Sequence, residues 1–217
     1  MSISRNSRRA FFKDRRPLFY YITDSRQLSA ISFDACIRRL LKWGVDFIQV
    51  REKHLSDRAL FQMTQRIVRL ADRTECRILV NGRADIALAA GAHGVHLPSN
   101  ALPVPEIRSW SPENFLIGVS VHTQGEVKHA ILEGADYVLL GHVYSTPSKS
   151  GHGPPLGLDF LKQICSGFSI PIFGLGGIHA GRIGSVLKAG VAGIAGIRLY
   201  QNRCSFDDLK KLYPSRT

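Results

Sequence analysis

A chain of 217 residues, 44% hydrophobic and 21% charged, is long enough to bury one sizeable core without disulfides or a structural metal. Its 20 glycines and 10 prolines follow no collagen period, and no apolar run nears the roughly 20 residues of a membrane span, so fibrous, low-complexity and membrane-spanning classes are excluded. The net charge of +12 admits an anionic partner, while four scattered cysteines (Cys36, Cys76, Cys165, Cys204) without CxxC spacing predict reduced thiols of a cytoplasmic protein.

The chain opens on a basic arm. Residues 1–16 carry Arg5, Arg8, Arg9, Lys13, Arg15 and Arg16 against Asp14 alone, which predicts a solvated, disordered tail ahead of a single domain at 17–217. A nucleic-acid-binding arm is the weaker alternative. Beyond it, short apolar runs alternate with amphipathic stretches of helical length, the pattern of an α/β fold. The predicted strands are LFYYITD (18–24), VDFIQVRE (45–52), RILVNG (77–82), GVHLP (94–98), FLIGVSV (115–121), YVLLG (137–141), PIFGLGG (171–177) and GIAGIR (193–198). Between the second and third, Leu60, Met63, Ile67 and Leu70 recur on one helical face, with Ser56 as the N-cap. Four phrases, KWGVDFI, AAGAHGVH, LEGADYV and KAGVAGIA, each place a glycine (Gly44, Gly91, Gly134, Gly190) between a helix and a strand. Eight such strands predict a (β/α)8 TIM barrel. The competing open sheet would run its first strand into a GxGxxG turn that residues 21–27 lack.

In a closed barrel of this kind the chemistry sits at the carboxyl ends of the strands. Those ends carry Thr23 and Asp24; Gln49, Arg51 and Lys53; Asn81 and Arg83; His96 and Ser99; Ser120 and His122; His142, Thr146, Ser148 and Lys149; Gly176 and Gly177; and Arg198. Cations and neutral hydrogen bonders dominate, which suits an anionic ligand. Gly176 and Gly177 close the seventh strand, where this architecture commonly binds phosphate through backbone N–H groups. The Gly/Pro-rich stretch at 145–155 reads as a lid or as an ordinary solvated loop. His96, His122 and His142 end successive strands; proton transfer ranks ahead of a structural role, and metal binding third, because no HxH or HExxH spacing occurs. Asp85 and Asp136 are expected at a helix start and a strand start, away from the mouth.

Seven motifs in order, YITD, FIQVREK, VNGRADIAL, GVHLPS, IGVSVHT, GADYVLLGHVYSTPSK and GLGGI, resemble the thiamine phosphate synthase/TenI superfamily over nearly the whole chain beyond the arm. The resemblance implies a TIM barrel that handles phosphorylated thiazoles in thiamine biosynthesis. In the synthase branch two aspartates hold magnesium; the matching positions here are Gly82 and Ala101, which offer no metal-binding side chain. NGR, HLPS, SVH and GHVY instead look like TenI, the thiazole tautomerase. That match implies His122 as the proton-transfer residue and no cofactor, magnesium entering only under the transferase alternative. It further implies a phosphate held by Gly176, Gly177 and the backbone near Ile197. Arg51 and Lys149 would attract the anionic ends, and Asn81, Ser120, Thr146 and Ser148 would position the ring, with Lys53 among the substrate-binding positions. Gln49, Arg51, Lys53, Ser120, Thr146 and Lys149 also match synthase positions, so the transferase stays open. A thiazole-phosphate or thiamine-phosphate sensor without turnover is a third reading. The partner is a phosphorylated thiazole, no membrane is involved, and a homodimer is compatible with the chain.

Overall fold

Strict two-residue alternation sorts the side chains of each strand between two apolar compartments, and this sorting closes the sheet. The computed structural model describes residues 11–12, 17–28, 31–146 and 153–214. Its strands are β1 (Leu18–Ile22), β2 (Phe47–Val50), β3 (Arg77–Asn81), β4 (Gly94–Leu97), β5 (Leu116–Val121), β6 (Tyr137–Gly141), β7 (Ile172–Leu175) and β8 (Gly193–Gly196). They form a closed barrel in chain order, parallel at every seam, with β8 returning to pair with β1. Helices fill the crossovers: α1 (Phe33–Trp43), α2 (Asp57–Ala71), α3 (Ala84–Ala89), α4 (Val104–Trp110), α5 (Gln124–Glu133), α6 (Gly157–Gly167) and α7 (Ala180–Lys188). A short α8 (Arg198–Gln201) and α9 (Arg203–Leu212) follow the last strand. The chain is therefore a (β/α)8 barrel, with every predicted strand present, seven of them trimmed at one or both ends and the sixth as predicted. Among the described residues no helix is long and apolar enough to cross a membrane.

Local signals place the helices. Ser56 Oγ accepts the Ala59 N–H and starts α2, as its position predicted. Gly44, Gly91, Gly134 and Gly190 all take positive φ, the left-handed turn that releases a helix into the next strand. The phrases around three of these glycines share a further device. Asp46 accepts the N–H of Phe19, Asp136 that of Ile117, and His93 Nδ1 that of Ile78, at 2.8, 2.8 and 3.0 Å. In each case the residue two beyond the glycine accepts a backbone N–H of the neighbouring strand.

Along β1, Leu18, Tyr20 and Ile22 enter the barrel interior while Phe19 and Tyr21 pack under the helices. Tyr20, Phe47, Tyr137 and Phe173 fill the interior with large rings. Gly118 makes room for one of them, since a Cβ there would lie 2.0 Å from the Tyr137 ring. Of the arm at 1–16, only Phe11 and Phe12 belong to the described residues, and both are partly buried. Phe12 stacks on Phe47 at 5.7 Å and meets Tyr137 and Phe173, and the Arg77 guanidinium lies over Phe11 at 5.2 Å. Because Phe47, Tyr137 and Arg77 open their strands, the two phenylalanines seal the amino-terminal end of the barrel.

Candidate functional site

The opposite end opens into a cavity of about 1080 Å³. The residues that continue the inward parity line it: Asp24, Gln49, Arg51, Lys53, Asn81, His96, Ser120 and His122, with His142, Thr146, Gly176, Gly177, Ile197 and Arg198. Ser99 also lines it. Ser148 and Lys149, with most of the expected lid, lie outside the described residues. Two expected members of the mouth are elsewhere. Thr23 has the wrong parity; it is fully buried, and its Oγ1 accepts the Arg51 N–H at 2.9 Å. Arg83 has the right parity, but Gly82 turns the chain with φ +69° and swings the guanidinium outward to Asp85 and Asp57. Those carboxylates hold the guanidinium even more firmly charged than usual, and Asp85 is pulled below its ordinary value, chiefly by Arg83.

Gly176 and Gly177 are explained by close packing before any ligand is considered. A Cβ on Gly176 would sit 2.4 Å from His142 Cβ, and one on Gly177 would sit 2.7 Å from Ser145 O; both have positive φ. Their backbone ends β7 on the cavity wall beside Ile197. His179, Arg182, Asn202, Arg203 and Cys204 extend this wall and were not anticipated, because they belong to loops and helix starts rather than strand ends. Arg182 is held in place by donating to Gly177 O at 2.9 Å and stacking 4.3 Å over Tyr144. Arg198 donates to Thr146 Oγ1 at 2.8 Å.

The two central histidines differ in kind. His122 is half-exposed at the rim, its Nδ1 3.4 Å from Glu126 Oε2, and the same carboxylate accepts the His122 backbone N–H at 2.5 Å. Glu126 is a neighbour of His122 that strand-end reasoning could not reach. It lies in the first turn of α5, where Thr123 caps the helix; T-x-x-E is the readable signal. His96 is buried, with Nε2 2.8 Å from Ser120 Oγ and Nδ1 3.3 Å from the Tyr137 hydroxyl. Burial first, and the charge of Arg51 second, hold its pKa down to about 3, so the ring is neutral at any working pH.

Carboxylates are scarce at the mouth. Asp24 is the only one on the cavity wall among the described residues, and it accepts from Gln27 Nε2. Glu52 is buried and committed to the Ser25 N–H and hydroxyl. Among the described residues no group of three His, Cys, Asp or Glu could hold a metal ion. A small hard cation takes one or two carboxylates beside substrate phosphates; the described wall offers Asp24 alone, and Gly82 and Ala101 add no donor side chain. The wall suits an anion with a neutral ring, and the rim carries two imidazoles open to solvent, those of His122 and His179.

Comparison with known proteins follows from this geometry. A family model described as thiamine monophosphate synthase matches residues 19–199. A provisionally named thiamine-phosphate synthase of Geobacter sulfurreducens is 43% identical over 81% of this chain and 83% of its own. A thiamine-phosphate synthase of Methanoculleus marisnigri is 39% identical over 81% and 83%. The solved structure of a Pyrococcus furiosus thiamine phosphate pyrophosphorylase superposes with a TM-score of 0.80 at 30% identity, covering 90% of this chain and 94% of that one.

Proposed function

The chain belongs to the thiamine monophosphate synthase family, and from that premise we propose that it is a metal-independent tautomerase of thiamine biosynthesis, converting a non-aromatic carboxythiazole phosphate into its aromatic isomer. The observation that carries this reading is a cavity wall with five arginine or lysine side chains, Arg51, Lys53, Arg182, Arg198 and Arg203, but with Asp24 as its only carboxylate among the described residues. An isomerisation moves one proton within the substrate and leaves atoms and electrons unchanged, so it calls for an acid–base group and an anion cradle and nothing further. His122 takes the ring proton and returns it, with Glu126 beside Nδ1 orienting the imidazole and stabilising its transient charge. The backbone at Gly176, Gly177 and Ile197 holds the phosphate, Arg51 and Lys53 draw the carboxylate end, and Asn81, Ser120 and Thr146 orient the ring.

His122→Ala is expected to slow aromatisation of the thiazole carboxylate phosphate by at least about a hundredfold while KM stays within about threefold. A variant that retains full kcat contradicts the assignment. A second reading is the transferase joining a pyrimidine diphosphate to a thiazole phosphate. The names of the relatives favour it, as does the pair Arg51 and Lys53, which would serve a diphosphate equally well. Its signature is thiamine phosphate formed with magnesium present.

A further inference from the structure

We propose that a buried hydrogen-bond chain fixes His96 as its Nε2–H tautomer, so that Ser120 turns its own hydroxyl proton into the cavity as a donor to the substrate; its catalytic part rests on the tautomerase reading above. Five inward-facing residues from five strands make the chain. Gln49 Nε2 donates to the Tyr20 hydroxyl at 2.8 Å. The Tyr20 and Tyr137 hydroxyls are 3.0 Å apart, Tyr137 is 3.3 Å from His96 Nδ1, and His96 Nε2 is 2.8 Å from Ser120 Oγ. Tyr20 and Tyr137 are wholly buried, and Gln49 and His96 are 1% and 2% exposed. Partners inside the barrel must therefore satisfy every proton.

Each hydroxyl has one proton to give, which sets the direction. Tyr20 accepts from the Gln49 amide and gives its proton to Tyr137. Tyr137 passes its own to His96 Nδ1. That nitrogen is then an acceptor, Nε2 carries the hydrogen, and the bond to Ser120 runs from ring to hydroxyl. Ser120 Oγ, with one of its two lone pairs taken by His96, keeps its proton to point at the ligand. As His122, two residues further along the same strand, removes a proton, negative charge grows on the substrate opposite a donor that needs no reorganisation. His96 is thus a positioning residue and Ser120 the group that touches substrate.

The test is the imidazole nitrogen spectrum of the full, unliganded protein labelled with 15N-histidine. The expected result is a protonated Nε2 and a bare Nδ1 on His96, unchanged from pH 5.5 to 8.5. Tyr137→Phe removes the donor to Nδ1 and should move His96 toward the Nδ1–H form, with kcat down at least about tenfold and KM within about threefold. A wild-type His96 carrying its hydrogen on Nδ1 overturns the proposal, as does a Tyr137→Phe protein whose His96 Nδ1 resonance does not move. If that variant does not fold, the wild-type spectrum decides alone. The spectrum is read on resting protein, so it fails separately from the tautomerase reading, which fails when no aromatisation is found.

Discussion

His96 and His122 share a residue type and a barrel mouth but not a setting, since one is dry and the other half in water. The dry ring has a consequence for stability. In the unfolded chain a histidine binds a proton below about pH 6.5, whereas His96 in the fold does so only near 3. The unfolded state therefore binds more protons across that window, and His96 removes about 1.4 kcal/mol of stability per pH unit as pH falls below 6.5. His93, also lowered by burial, acts in the same direction. Urea unfolding of His96→Gln at pH 7 and pH 5 is expected to show a smaller acid loss than the parent chain; an identical loss would place the titration elsewhere. At this scale the sequence exposes parity but not the turn that ends it. Alternation predicts Gln49, Asn81, His96 and Ser120 on the wall, yet the same counting misplaces Arg83, because the positive φ at Gly82 breaks the register. Glu126, Arg182 and His179 stayed hidden because they reach the mouth from a helix or a loop.

The repeated helix–glycine–strand phrase is the unit from which the barrel is assembled. Its glycine ends the helix, and two residues later Asp46, His93 or Asp136 ties the new strand to its neighbour through a backbone N–H. The phrase and its glycines are readable in the sequence, whereas the acceptor role is visible only when the neighbouring strand is in place. Asp136 carries most. It is wholly buried, accepts the Ile117 N–H at 2.8 Å, and meets the Arg108 guanidinium at the same distance. Asp136→Ala removes the acceptor of a buried N–H and the ion-pair partner of Arg108, which is expected to cost about 3 kcal/mol and lower Tm by roughly 6–12 °C. Calorimetry checks this; a shift under about 2 °C would mean that water replaces the carboxylate at no cost.

For the whole molecule, the barrel separates a stabilising end from a chemical end. Phe11 and Phe12 belong to the first. They are the part of the basic arm that composition alone misjudged, since two aromatics inside a run of arginines carry no periodicity, and their burial depends on a hole that exists only after β1 to β8 close. Replacing both with alanine should lower stability by about 2–4 kcal/mol and leave kcat within about twofold. A loss of activity without a loss of stability would connect the arm to the mouth instead. The closed order of strands and the anionic character of the ligand were legible from the start, because eight apolar runs and the cations at their ends are composition and spacing.

The choice between isomerase and transferase was not legible in the same way. The tautomerase proposal turns on two missing carboxylates at Gly82 and Ala101 and on a cavity wall with Asp24 as its only carboxylate among the described residues, while the names of the relatives point to the transferase. The decisive measurement supplies both substrate sets to one preparation and follows products by chromatography, with EDTA and then with excess magnesium. The account predicts aromatised thiazole carboxylate phosphate at the same rate under both conditions and no thiamine phosphate above background. Magnesium-dependent formation of thiamine phosphate, or aromatisation that stops when EDTA is added, would contradict it.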